Sequence, residues 1–495
     1  MQSARRLSLL SGVAVVILVV LLSRTNRPPS AVPSDTPLLF YCAAGLKPAV
    51  AAAVGAYEQQ HGRRVEVQYG GSGTLLSNLR VAARGDLYLA ADAGYIELAR
   101  SNGLVAEVIP IATMTPVIGV ARGNPKGVES LDDLLRAEVA LALANPDAAA
   151  IGKVAREMLA PLGKWEPIAG HAKVFKPTVN DLANDLKIGA VDAAILWDAT
   201  ASQYPEIEAV AVPELSQGAK TVEIGVLRSS RTPTAALHFA RYLTATDRGL
   251  PEFERAGYRV LPGDAWAEHP EVVLYSGGVN RVAVEETIRQ FEEREGAQVT
   301  RVYNGCGILV SQIKSGQRPD AYFACDVSFM DPVGELFGPS VEISETDIVL
   351  LVPKGNPKGL KTLRDLTGEG LRLGLANPQQ STLGALTERL LRDEGILDAV
   401  MANVRSQTPT ADLLVNQLRT GSLDAVVVYE ANTSQVRDTL DVLHLDLPGA
   451  RAIQPYAVGK NSAHPRLMER LLAAIRTPES RERYARAGFR WKANP

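Results

Sequence analysis

The sequence predicts an α/β protein made by tandem duplication of one domain. Three observations predict it. The chain repeats itself in long register. Strand-like and helix-like runs alternate within each copy. Polar or glycine-bearing turns recur at the carboxyl ends of the strand-like runs.

The register is explicit. Tyr41 matches Tyr275, Tyr69 matches Tyr303, Asp86 matches Asp320 and Asp92 matches Asp326, all at an offset of 234. The offset then becomes 232, pairing Asn124-Pro125-Lys126-Gly127 with Asn356-Pro357-Lys358-Gly359, and Trp197-Asp198 with Tyr429-Glu430. Near the ends it is 231, where Ala256-Gly257-Tyr258 meets Ala487-Gly488-Phe489. Each copy is about 225 residues, enough for a core of its own, so this is a duplicated domain and not a solenoid. Repeat one is read as 37–262 and repeat two as 271–495.

The elements of repeat one follow in order. Residues 38–42 are an apolar run, read as a strand, and 47–60 have helical spacing. Val65, Val67 and Tyr69 alternate, making 65–69 a strand, and 74–83 resume a helical pattern. Residues 87–90 and 116–121 are strands, and 130–135 are a short helix with Ser130 as its N-cap. Residues 140–144 are a strand, 152–162 and 179–188 helices, and 193–197 a strand. Residues 222–228 are a strand, with helices at 233–243 and 249–256. Such alternation implies parallel or mixed sheets covered by helices, with ligand sites at strand carboxyl ends. Those ends carry Ala43-Ala44-Gly45, the turn 70–73, Ala91-Asp92, the stretch 145–152 and Trp197-Asp198.

The turn 70–73 is the most telling. In Tyr69-Gly70-Gly71-Ser72-Gly73-Thr74-Leu75-Leu76 a strand gives way to a helix N-terminus, where free N–H groups and the helix dipole favour negative charge. Its twin is Tyr303-Asn304-Gly305-Cys306-Gly307-Ile308, with Cys306 in place of Ser72. Neither is a phosphate loop ending in Gly-Lys-Ser/Thr, and Thr74 stands where a nucleophile elbow needs glycine. Asp92, Asp198, Asp326 and Glu430 would repel an anion, so they are expected to cap helices or bind backbone N–H groups.

Composition narrows the function. A chain of 495 residues with net charge −3 and no basic block offers nothing to nucleic acid. Three cysteines form no CxxC, and six histidines lie scattered with no HExxH or zinc-finger spacing. No metal, cofactor or nucleophile–base pair is read from the residues, so an enzyme is not expected. At the N-terminus Arg5 and Arg6 precede an apolar run over 7–22, an export signal or a signal anchor. The lack of a small-x-small cleavage site, or of a cysteine directly after the run, favours an anchor over 1–23. The Pro/Ser-rich residues 24–36 then form a linker.

Together, Tyr41-Cys-Ala-Ala-Gly-Leu46, the stretch 69–76, Gly85-Asp-Leu-Tyr-Leu-Ala-Ala-Asp92, Thr115-Pro-Val-Ile-Gly-Val120 and Asp192-Ala-Ala-Ile-Leu-Trp-Asp-Ala199 resemble a known family. That family is the molybdate/tungstate-binding branch of the bacterial extracellular solute-binding proteins. Repeat one resembles it along almost its whole length, repeat two more loosely. The resemblance implies a type II periplasmic-binding-protein fold, with two hinged α/β lobes per repeat and the ligand between them. Lobe one would be 37–115 plus 215–262 and lobe two 116–214; in repeat two, 271–348 plus 448–495, and 349–447. It further implies that neutral donors hold a tetrahedral oxyanion: Gly45, Ser72 and Gly73 from one lobe, Ala150, Ile151, Val179 and Trp197 from the other. The candidates it implies in repeat two are Gly278, Cys306, Gly307, Thr382, Leu383, Thr410 and Tyr429, of which Gly278 stands at the place of Ala44 and Thr410 at that of Thr178. Gly45 replaces a serine common in the family, and Trp197 stands where a tyrosine is frequent.

The expected protein is therefore extracytoplasmic and membrane-tethered or exported. It would capture an inorganic oxyanion such as molybdate or tungstate for an ABC permease, touching the membrane through its N-terminal segment. The alternative is an anchored tandem module acting as an anion sensor or scaffold. Repeat two is open to another ligand, the same one or none. Cys306 and Cys325 follow adjacent strands and could pair in an oxidising compartment.

Overall fold

A computed structural model describes residues 36–493. The signal or anchor expected at 1–23, and all of the linker but Thr36, lie outside the described residues.

Repeat one holds eleven strands in two sheets. They are β1 (Leu38–Ala43), β2 (Val65–Gly70), β3 (Leu87–Ala90), β4 (Val105–Met114), β5 (Pro116–Ala121), β6 (Leu141–Ala144), β7 (Val174–Lys176), β8 (Ala193–Trp197), β9 (Ile207–Val210), β10 (Lys220–Leu227) and β11 (Arg259–Val260). The first sheet has the order β11-β4-β10-β3-β1-β2, the second β7-β6-β8-β5-β9. In the first, β2, β1 and β3 are parallel and β10 runs against both β3 and β4. Strands such as β1 read as continuous apolar runs because helices cover both faces; Leu38, Phe40 and Cys42 are fully buried.

The chain passes from the first sheet to the second at Thr115, between β4 and β5. Pro116 opens β5, and Asp198 ties the passage. Thr115 N–H donates to its carboxylate at 2.9 Å, and Asp198 N–H donates back to the Thr115 carbonyl at 2.9 Å.

Repeat two adds β12 (Glu271–Gly277), β13 (Gln298–Asn304), β14 (Ala321–Phe323), β15 (Val341–Pro353), β16 (Leu373–Ala376), β17 (Val404–Thr408), β18 (Ala425–Tyr429), β19 (Leu440–His444), β20 (Arg451–Val458) and β21 (Arg490–Trp491). Here both halves belong to one ten-stranded sheet, because β15 runs straight through the passage. Its first half pairs with β20 and β21, its second with β18 and β19. Ile348 replaces Pro116 and supplies an N–H, donated to the Ala450 carbonyl at 2.9 Å. Each repeat has its own apolar core, and among the described residues no buried cluster is shared between them.

Helix boundaries moved in two places that matter. The helix expected from 74 begins at Ser72 (Ser72–Ala82), and the one expected from 152 begins at Ala150 (Ala150–Leu159). Strand β4 and the helix Ala93–Ser101 are additions to the expected order. Pro110 hides β4: it falls at a register shift against β10, a place where a strand tolerates a missing N–H.

The repeats meet through helix Pro233–Leu243 and helix Arg281–Glu295. Glu295, 1% exposed, accepts from Arg470 at 2.6 and 3.1 Å and also binds Arg241, both arginines being buried. Asp264, in the connector, accepts the N–H groups of Arg466 and Leu467 at 2.7 and 3.0 Å. Arg294 pairs with Glu107 across the same contact. Such a charged junction stabilises only as a complete set, since a lone buried charge is costly.

Candidate functional site

Cleft one lies between the two sheets of repeat one and encloses about 340 Å³ including space open to solvent. Helix starts build it. The 3₁₀ turn Ala44–Leu46, helix Ser72–Ala82 and helix Ala150–Leu159 begin at its walls. Their N-caps are Ala43, Gly71 and Ala149, and none receives a side-chain cap. A helix start carries N–H groups without intrahelical partners and a partial positive charge. Among the described residues, no Asp, Glu, Lys, Arg or His side chain lines the cleft.

Of the expected residues, Gly45, Ser72, Ala150, Ile151, Val179 and Trp197 line this cleft; Gly73 does not. The Gly73 N–H is already spent on the Ala148 carbonyl at 2.9 Å, a bond joining the two walls. Ser72 is 1% exposed. Its Oγ accepts from the Ala91 N–H at 3.2 Å, which leaves the hydroxyl proton to donate. Thr178 caps the helix Val179–Lys187 by accepting from the Asp181 N–H at 3.2 Å. Tyr258 donates to the Gly45 carbonyl at 2.6 Å.

Glycine is required where the walls touch. A Cβ on Gly71 would stand 2.4 Å from the Ala148 oxygen and 2.6 Å from that of Pro177, and one on Gly45 would stand 2.9 Å from a Val179 methyl. The missing serine at 45 thus has a steric partner in Val179. Near Gly45 lie Thr200 Oγ1 and Asn180 Oδ1, two buried polar atoms without partners. Sequence reasoning missed both, as it missed Tyr258.

Asp92 caps helix Ala93–Ser101 through the Gly94 N–H at 3.0 Å and also takes Lys153 Nζ at 3.1 Å from the opposite wall. Burial opposes the Lys153 charge, but Asp92 and Glu157 outweigh it and hold its pKa above the usual lysine value. Asp326 likewise accepts backbone N–H groups, of Ser328 and Ile453. Glu430 departs from the expectation, because Arg437 holds it at 2.8 Å.

Cleft two, about 280 Å³ including open space, has the same frame and different contents. Of the candidates in repeat two, Gly278, Thr410 and Tyr429 line it; Cys306, Gly307, Thr382 and Leu383 do not. Gly307 N–H is spent on the Gln380 carbonyl at 3.1 Å, and Leu383 belongs to the core. Thr382 Oγ1 is buried without a partner. Cys306 is fully buried, its sulfur accepting the Cys325 N–H at 3.1 Å in the manner of Ser72. Cys325 fills the room that Ala43 fills in repeat one: a Cβ on Gly277 would lie 2.2 Å from its sulfur. The three cysteines are free thiols, so the 306–325 disulfide is not formed. Burial opposes ionisation of Cys306, but its bonds to the Cys325 thiol and N–H bring its pKa below the usual thiol value; Cys325 is pushed up by its bond to Cys306 and by burial. Asp412 and Asn432, bonded to each other at 2.9 Å, bring a carboxylate and an amide into the lining.

Among known proteins, a binding protein of Haemophilus influenzae is 31% identical over 222 residues, 45% of this chain and 90% of that one. The molybdate-binding protein ModA of Mycobacterium bovis is 25% identical over 223 residues, 44% of this chain and 84% of its own. The periplasmic molybdate-binding protein of Azotobacter vinelandii is similar at a TM-score of 0.40 with 17% identity, covering 46% of this chain and 99% of that one. The model of the bacterial extracellular solute-binding protein family matches twice, over residues 38–259 and 272–490. With both repeats matched, the chain belongs to that family, as two tandem copies of its solute-binding α/β unit.

Proposed function

We propose that repeat one captures a tetrahedral oxyanion such as molybdate or tungstate between two lobes, 37–115 plus 215–262 and 116–214, outside the cytoplasm. Lobe closure presents it to an ABC permease, and the chain performs no chemistry on it. The observation that carries this reading is the convergence of three uncapped helix starts on a cleft without a charged lining. A dianion leaving water must recover its hydrogen bonds, and bonds to a charged group contribute about 1.5–3 kcal/mol each. Fixed N–H groups and the Ser72 hydroxyl supply them at set spacings, so anion size decides fit. The N–H groups at Gly45, Ala150, Ile151 and Val179, with the Trp197 indole, are the remaining donors. The relatives' binding of molybdate supports the same class of ligand. The apolar segment over 1–23 would hold the protein at the membrane.

Cleft two takes a different ligand. Asp412 stands where repeat one has Asn180, and its carboxylate disfavours a dianion. Titration calorimetry of the full chain with molybdate, tungstate and sulfate tests the proposal. One oxyanion binds per chain, and Ser72→Ala weakens it by about 10- to 100-fold. No heat with any of the three anions would sink the reading.

A further inference from the structure

Outside both clefts, three metal-ligating side chains meet where the connector packs against repeat one. His61 ends the helix Lys47–His61, His238 lies in helix Pro233–Leu243, and Glu268 belongs to the connector. One ligand atom from each lies within 4.8 Å of the other two. The histidines are 177 residues apart, hence invisible to any spacing rule for metal motifs.

The surroundings are arranged as they are around a ligating imidazole. The Tyr57 hydroxyl meets His238 Nδ1 at 2.9 Å, fixing the ring and leaving its other nitrogen for a ligand. His61 Nε2 is buried and has no hydrogen-bond partner. Trp266 closes one side, its ring 5.6 Å from that of His61 and 5.0 Å from that of His238.

Repeat two shows what this position otherwise requires. By the repeat register His61 corresponds to Glu295 and His238 to Arg470. Those two satisfy each other in a buried ion pair at 2.6 and 3.1 Å. Two imidazoles cannot do so, and an acidic side chain has come in from the connector instead. We propose that His61, His238 and Glu268 bind a divalent transition-metal ion of the zinc, nickel and copper class, fastening the connector to repeat one. Two imidazoles and one carboxylate suit these ions, whereas magnesium and calcium prefer oxygen ligands throughout. Ligand atoms at about 2.0–2.2 Å from one ion lie closer together than 4.8 Å, and the exposed Glu268 side chain has room to close the distance. The other such group, Asp347, Glu430 and His444, is a poorer site because Arg490 and Arg437 already hold its carboxylates.

The test is calorimetry of the untagged full chain, stripped with chelator, against Zn²⁺, Ni²⁺ and Mg²⁺, with tryptophan fluorescence followed in parallel. One Zn²⁺ or Ni²⁺ binds per chain and Mg²⁺ does not; Ni²⁺ quenches emission, and Trp266→Phe removes the quench while keeping the heat. The double variant His61→Ala/His238→Ala abolishes binding. Glu268→Gln, altered at an exposed side chain, weakens it at least about tenfold with an unchanged circular dichroism spectrum. His444→Ala has no effect. No heat with either transition metal, full binding in both the double variant and Glu268→Gln, or binding lost in His444→Ala would overturn the proposal. Should the double variant fail to fold, Glu268→Gln decides. None of these outcomes depends on whether cleft one takes an oxyanion.

Discussion

The two repeats share a frame and differ at almost every point where that frame meets something outside itself. At the passage between sheets, repeat one has Thr115-Pro116 and two separate sheets, whereas repeat two has Asp347-Ile348 and one continuous strand. Repeat one ties the passage to Asp198; repeat two ties β15 to Arg490, which binds Asp347 at 2.7 and 2.6 Å. Across cleft one runs the Asp92–Lys153 ion pair, and in repeat two Ala385 stands in the place of Lys153. What stays common is the backbone contact of the walls. Gly71 and Gly305 both approach two carbonyl oxygens too closely for any side chain. Duplication has therefore kept the contact between the walls and freed the cleft contents to diverge.

The largest effect separates the repeats at their outer helix pair. Glu295→Gln leaves Arg241 and Arg470 buried without their counter-charge and costs about 3–5 kcal/mol in urea unfolding. The matching substitution His61→Gln, with chelator present, costs less than about 1 kcal/mol, because no protein group bonds to His61 Nε2. Equal costs would erase the distinction between an internally satisfied pair and an externally satisfied one.

Next is the glycine contact. Gly71→Val places branched carbon against the Ala148 and Pro177 oxygens, holds cleft one open and lowers oxyanion affinity at least about 100-fold by calorimetry. Gly305→Val produces the same clash in cleft two and leaves that affinity unchanged. A loss in both variants would mean that the two clefts share the ligand.

Much of this was legible in the chain because duplication printed it twice. Turns at 70–73 and 304–307 stand out since backbone crossing at van der Waals distance tolerates only glycine, and that need survived in both copies. Individual donors were harder to read. Gly73 and Gly307 looked like anion ligands, but their N–H groups close the cleft itself, and only the folded geometry shows a carbonyl from the opposite wall in front of them. Cys306 looked like a cleft residue because Ser72 is one. The larger Cys325 beside it, filling the space opened by Gly277, puts it behind the lining. Contacts such as Asp92 with Lys153, or His61 with His238, join residues brought together by the sheet order and leave no local signature.

A smaller effect tests the latch. Lys153→Ala removes a partly exposed ion pair, so it weakens oxyanion binding about fivefold, seen mainly as faster dissociation in stopped flow. An unchanged dissociation rate would make the pair a static surface feature.

The smallest effect is a pH dependence that only repeat one can have. Burial, with the nearby Arg241 charge, lowers the pKa of His238 from 6.5 to about 4. Between those values the unfolded chain takes a proton that the folded one refuses, so acid favours unfolding. The stability is fully present above pH 6.5 and is lost as the pH falls toward 4. Solvent reaches part of the ring, so the loss by pH 5 is about 1 kcal/mol, read from the unfolding transition that Trp266 reports. Arg470, at the matching position, stays charged throughout and adds no such slope. In metal-free protein His238→Gln flattens the dependence. A bound transition metal steepens it, because protons then compete with the ion for the same two nitrogens. A dependence that survives His238→Gln unchanged would place the acid sensitivity elsewhere in the chain, and the contrast between histidine pair and ion pair would lose its thermodynamic meaning.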